Sequence, residues 1–138
     1  SICGMGGEMI ADIVTSAPEL REPDVRLILQ PMTSEDKLRA YLCENGYDIL
    51  DEVMVEDKGR VYAVMSVCFD GVVREYTPAE LLLGKKNIEK GGELFLRQLE
   101  RRMRIVTWTI DERKTANLDC TEHEGLLKEM EKIKEKTT

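Results

Sequence analysis

Two short glycine- or proline-bearing segments and one run of basic side chains are the residues here best suited to chemistry. Gly4-Met5-Gly6-Gly7 follows an apolar run and precedes a helical pattern, and Gln30-Pro31 closes a second apolar run. Glycine lets a backbone approach a ligand closely, and the first turn of a helix offers N–H groups with no internal partner. In an open parallel sheet, ligands bind beyond the carboxyl ends of the strands, where both segments belong. The glycines read GxGG, not GxGxxG, so the dinucleotide fingerprint is missing, and no GxxxxGK[ST] occurs. A tight strand-to-helix turn accounts for the glycines equally well. Arg97, Arg101, Arg102 and Arg104 fall within eight residues, enough for a local phosphate-facing patch. From charge alone, a solvated helix face with acidic partners nearby is the plainer reading.

Nucleophilic and metal chemistry find less support. Cys3, Cys43, Cys68 and Cys120 show no CxxC or Cys/His ligand spacing, and the first three sit among apolar neighbours as small core residues. They read as reduced thiols of a cytoplasmic protein. The single histidine, His123, falls in a polar turn, which disfavours a zinc site or a histidine-based triad. A small enzyme working through Glu8, Asp12 or Cys3 is a weak alternative. Those carboxylates lie on the outer side of a short helix, and Cys3 has no histidine nearby in sequence.

The elements that position these groups follow from periodicity. Met9, Ile10, Ile13 and Val14 recur at helical spacing up to Ala17-Pro18. Val25 to Leu29 is a compact strand, ended by Gln30-Pro31. Ser34 is a plausible N-cap for a helix with Leu38, Tyr41 and Leu42 on its apolar face, and Asn45-Gly46 stops it. Tyr47 to Glu56 and Arg60 to Phe69 form a hairpin around Asp57-Lys58-Gly59. The order β-α-β-α-β-β predicts an α/β fold with parallel crossovers, closed by one antiparallel strand. Two helices are too few to cover both faces of such a sheet, which places further strands before Ser1.

After Pro78 the pattern changes. Leu96, Leu99, Met103, Val106 and Ile110 step by 3 and 4, the rhythm of a coiled-coil seam. Thr121-Glu122-His123-Glu124 has capping-box form, and Leu126, Met130 and Ile133 continue the seam on a second helix. A coiled-coil-like antiparallel hairpin follows, able to close within one chain or by self-association. The Leu/Met stripe reads as packing. The few aromatics that could stack on a base are Tyr41, Tyr47, Tyr62, Tyr76 and Trp108, each more naturally a core or seam residue.

Composition bounds the rest. With 138 residues, 42% apolar and 34% charged, the chain suits one globular domain and is not disordered in character. No apolar run is long enough for a membrane span, and no secretory signal pattern is visible. The net charge of −7 argues against a surface that wraps nucleic acid throughout. It divides unevenly: residues 1–79 carry 7 basic and 15 acidic side chains, and residues 80–138 carry 13 and 12.

Ile2-Cys3-Gly4-Met5-Gly6-Gly7, then Leu27-Ile28-Leu29-Gln30-Pro31 and Leu38-Arg39-Ala40-Tyr41-Leu42, resemble the bacterial tRNA (adenine-22-N1)-methyltransferase family. Asn45-Gly46-Tyr47-Asp48-Ile49-Leu50-Asp51-Glu52 and Leu81-Leu82-Leu83-Gly84-Lys85-Lys86-Asn87 continue the match, which covers residues 1 to about 103 and fades beyond Ile105. The resemblance implies the C-terminal portion of a Rossmann-like class I methyltransferase, with residues 1–76 in the catalytic domain and 77–138 in a helical hairpin. It implies methyl transfer from S-adenosylmethionine to N1 of an adenine in tRNA. Gly4, Met5, Gly6 and Gly7 correspond to the loop after the family's fourth strand, beside the methyl donor, and Gln30 and Pro31 to the wall of the substrate pocket.

Lys85, Lys86, Lys90, Arg97, Arg101 and Arg102 are then candidates for the tRNA backbone. The family's first glycine-containing motif and its ribose-binding acid have no counterpart in this sequence. The expectation is therefore an intact parent that binds the donor, and 138 residues that alone do not bind it productively. No metal and no membrane partner is expected. The competing reading is a non-catalytic interaction module that docks a protein through Leu96, Met103 and Ile110.

Overall fold

In the computed structural model, which describes residues 2–22 and 24–137, the order is β-α-β-α-β-β through Phe69 as anticipated, and two short helices that were not anticipated precede the helical pair. Strand β1 (Ile2–Gly6) leads into helix α1 (Gly7–Thr15) and a 3-10 turn (Pro18–Arg21). Strand β2 (Arg26–Thr33), helix α2 (Glu35–Glu44), β3 (Tyr47–Asp57) and β4 (Arg60–Phe69) follow. Helices α3 (Pro78–Leu83), α4 (Lys85–Lys90), α5 (Glu93–Thr115) and α6 (Thr121–Thr137) complete the chain. The start of the first apolar run, Ser1, lies outside the described residues. Two compact units emerge, Ser1–Glu89 and Lys90–Thr138.

In the first unit the sheet order is β1-β2-β4-β3, with β1 parallel to β2 and β4 antiparallel to both of its neighbours. The hairpin thus folds back so that β4, not β3, lies beside β2. Lys58 and Gly59 take positive φ (51° and 79°), as a tight two-residue hairpin turn requires. Ile10 and Val14 of α1 and Leu38 and Leu42 of α2 pack on Leu27, Leu29, Ile49, Met65 and Val67, all essentially buried. Burying each such side chain contributes roughly 1.5–3 kcal/mol before chain entropy is subtracted. Both helices share this core. Ile28, Val53 and Val55, which lie outside it, are 40%, 51% and 40% exposed. Met9 is also exposed, so the apolar stripe of α1 is narrower than its spacing suggested.

A register shift between Ile49 and Asp51 decides which side chains of β3 turn inward. Strict alternation from Tyr47 and Ile49 would send Asp51 to the core. The extra residue instead sends Glu52 there, 1% exposed, and leaves Asp51 in solvent.

The chain then turns back through Asp70–Arg74. Asp70 and Gly71 each donate a backbone N–H to the Gly46 carbonyl at 2.9 Å. The Arg74 guanidinium, together with the Val72 N–H, holds the Asp70 carboxyl at a pKa of about 2. Thr77 opens α3 with a complete capping box to Glu80. The capping box anticipated at Thr121 does not form, because α6 already begins there. Asp119 accepts from the Thr121 N–H and hydroxyl instead (3.1 and 2.7 Å), and His123 lies within the first helical turn rather than in a loop.

In the second unit α5 and α6 form an antiparallel pair. Lys114 faces Glu124 near the turn (4.0 Å), and Lys134 faces Glu100 at the far end (3.8 Å). Leu99, Val106, Ile110 and Met130 are buried in this unit, while Leu96, Met103, Leu126 and Ile133 are half-buried. Among the described residues no helix is long and apolar enough to cross a membrane, and no cluster of potential metal ligands occurs.

Candidate functional site

The two segments singled out at the strand ends are direct neighbours. Cys3 pairs with Gln30, Met5 with Pro31 and Gly6 with Thr33. Neither is a loop: Gly4 to Gly6 continue β1, and Gln30 and Pro31 lie within β2, which runs on to Thr33. The strands extend because each supplies the other's pairing partners. Pro31, which has no N–H to donate, falls in the stretch where the β1 register is irregular.

The glycines divide into two kinds. Gly4 has φ +75°, and nothing stands within 4 Å of where a Cβ would project, so its main chain is open to a ligand. A Cβ on Gly7 would lie 2.2 Å from the Ser34 carbonyl oxygen, and one on Gly6 would lie 2.9 Å from Thr33 Oγ1. Those two serve the packing of the β1–α1 junction against the β2–α2 junction. Ser34 takes the left-handed conformation (φ 55°) at this contact and makes no capping hydrogen bond, in contrast to the N-cap bond anticipated for it. Gly4 therefore leaves its main chain uncovered, while Met5 is half-buried. Gln30 is half-buried beside them and Pro31 is buried.

Glu8 and Asp12 are exposed on α1, and Glu8 pairs with Lys37 of α2. Cys3 is exposed rather than a core residue, because it sits on the irregular edge strand. Cys43 is buried, and that burial pushes its thiol pKa up, away from a nucleophile's range. Lys85 lies over the Tyr76 ring at 5.7 Å, where burial pushes the phenol up to about 12. Lys86 is 3.9 Å from Glu89, and Lys90 is exposed. On α5, Arg97, Arg101 and Arg104 are exposed, whereas Arg102 is half-buried. Tyr47 and Tyr62 are core residues, but Trp108 is 65% exposed and stands outside the seam.

A polar cluster that periodicity did not reveal lies wholly inside the first unit. Arg39 is fully buried and donates to both oxygens of Glu52, from Nε at 3.1 Å and from Nη2 at 2.8 Å. Its Nη1 donates to the Leu81 and Leu82 carbonyls at 2.7 and 3.0 Å, satisfying the C-terminal end of α3. Asn87 Nδ2 bridges Glu52 Oε1 (3.1 Å) and the Leu83 carbonyl (2.9 Å). This cluster ties α2 and β3 to the segment Leu81–Asn87, and thus fixes where the chain leaves the sheet.

A mixed four-stranded sheet with two helices packed on it, followed by a helical pair, defines an α/β fold. A Streptococcus agalactiae protein of the NADB-Rossmann superfamily has the same fold, with a TM-score of 0.79 at 24% identity, over 96% of this chain and 57% of that one. A Streptococcus pneumoniae protein solved in complex with S-adenosyl-L-methionine matches with a TM-score of 0.75 at 22% identity, over 97% of this chain and 60% of its own.

The TrmK family model, tRNA (adenine(22)-N(1))-methyltransferase, matches residues 1–135, and the chain belongs to that family. The tRNA (adenine(22)-N(1))-methyltransferase of Bacillus subtilis is 29% identical over 137 residues. That alignment takes in 94% of this chain and 56% of the relative, so the chain spans little more than half of its relative's length.

Proposed function

We propose that these residues form the C-terminal part of an S-adenosylmethionine-dependent enzyme that methylates N1 of an adenine in tRNA. The family match across residues 1–135 carries this reading. Residues 1–76 contribute to the methyltransferase domain, and residues 77–138 engage the RNA. When bound, the donor supplies an electrophilic methyl group. What this chain adds is position: the Gly4-Met5 backbone is one wall for the donor, and Gln30 and Pro31 border the space for the base. Gly6 and Gly7 support that wall by letting the two strand-to-helix junctions touch. Holding the reacting atoms in line provides a large share of the rate in such transfers. The 138 residues supply only part of the donor's site, so methyl transfer belongs to the intact, cytoplasmic protein.

Lys85, Lys86, Lys90, Arg97, Arg101 and Arg102 contact the tRNA backbone in this reading. Arg97 and Arg101 lie four residues apart on α5, both exposed and outside the buried seam. The double variant R97E/R101E is expected to weaken tRNA binding about tenfold or more and to flatten its dependence on salt, since each lost phosphate contact removes about one counterion from the slope. Fluorescence anisotropy of a labelled tRNA at several salt concentrations measures both. Unchanged affinity and slope would remove these arginines from the interface.

A further inference from the structure

We propose that Trp108 is a stacking platform for an unpaired base of the bound RNA, with Arg104, Arg101 and Arg97 leading the phosphates away along α5. This rests on the tRNA reading above and assigns it a base-contacting residue. Trp108 is the only tryptophan of the chain and is 65% exposed in the middle of a helix whose seam residues Leu99, Val106 and Ile110 are buried. Arg101, Arg104 and Trp108 are separated by 3 and 4 residues and so share a face, and Arg97 lies one turn before Arg101. Some 16 Å of helix separates Arg97 from Trp108, at about 1.5 Å per residue.

Beside the indole a shallow groove of about 510 Å³ is lined by Met103, Arg104, Thr107, Asp111 and Lys134 as well as Trp108. Glu100 also borders it, with Lys134 3.8 Å away. Asp111 lies beyond Trp108 from the arginines, so its carboxylate repels a phosphate there and the strand must leave toward Arg104. An aromatic face next to in-line guanidinium groups matches single-stranded nucleic acid, where stacking supplies sequence-tolerant affinity and arginine follows the backbone. A protein partner would favour a broader apolar surround than this charged groove provides.

The single tryptophan makes the test direct. The full chain is titrated with an unmodified tRNA transcript while the anisotropy of labelled tRNA and the emission of Trp108 are followed together, with inorganic polyphosphate as a ligand that has charge but no bases. The expected result is quenching of Trp108 along the tRNA binding curve and no quenching by polyphosphate. W108A should lose about tenfold in tRNA affinity with an unchanged melting temperature, and W108F should stay within about threefold of the parent chain.

If tRNA binds while emission and W108A affinity are unchanged, the platform is wrong and the tRNA reading stands. If polyphosphate quenches equally, the effect is charge and the platform is wrong. If no tRNA binds at all, both fail. A concentration-dependent emission shift without RNA, together with a dimeric mass in sedimentation that W108A loses, would replace the proposal with self-association.

Discussion

Arg39→Ala should destabilise the first unit by about 3–5 kcal/mol, a large part of the roughly 5–15 kcal/mol that holds a domain folded. The arginine is fully buried, as is its partner Glu52, and truncation takes the guanidinium away from a carboxylate that stays desolvated, while the Asn87 contact remains. It also strips the donor from the Leu81 and Leu82 carbonyls. Buried ion pairs are poor net stabilisers against an apolar pair, yet breaking one from a single side is costly. R39M/E52L should therefore recover about 2 kcal/mol of the loss, with a remainder near 1–3 kcal/mol from the orphaned carbonyls. Urea unfolding of the three proteins separates these cases. A single-variant loss below about 1 kcal/mol would mean that water reaches the pair and the cluster is not a clamp.

Gly7→Ala should cost about 3 kcal/mol or more, and Gly4→Ala only about 1–2 kcal/mol. At Gly7 the new methyl would stand 2.2 Å from a backbone carbonyl oxygen of Ser34, and a main chain cannot swing aside as a side chain can. At Gly4 the methyl meets no protein atom, and the cost is that of a left-handed φ in a residue with a Cβ. Function should order them the other way relative to stability. Gly4→Ala places a methyl on the surface assigned to the donor, so in the intact protein it should raise the KM for S-adenosylmethionine well beyond its effect on melting. Thermal unfolding and steady-state kinetics on both variants check this. Gly4→Ala with normal KM would take the donor away from this backbone.

Most of the architecture was legible because the apolar runs carry their own period. Ile10 and Val14, Leu38 and Leu42, and the Asp57-Lys58-Gly59 turn all fell where spacing and turn chemistry put them. What escaped depends on events that period cannot encode. A one-residue bulge between Ile49 and Asp51 turned Glu52 inward, where it meets Arg39, whose guanidinium also reaches the Leu81 and Leu82 carbonyls. The candidate strand ends were found, but as loops, because Gly4 and Pro31 are strand breakers in isolation. Here each lies in the irregular stretch that the other strand completes. Trp108 reads as a core or seam residue by type, whereas its place on the helix, two residues past Val106 and two before Ile110, puts it outside the seam. The glycine run mixed two causes that a sequence cannot separate, contact between junctions at Gly6 and Gly7 and an open backbone at Gly4.

The clamp, the strand-end backbone and the face of α5 each have a place in one reading, in which the sheet helps position a methyl donor and the helical pair holds the RNA. Mass-spectrometric nucleoside analysis of an unmodified tRNA transcript, after incubation with S-adenosylmethionine and the intact protein, tests that reading most directly. The expected product is 1-methyladenosine, with none from residues 1–138 alone. A different methylated nucleoside, or no methylation by an intact protein that binds the tRNA, would contradict it.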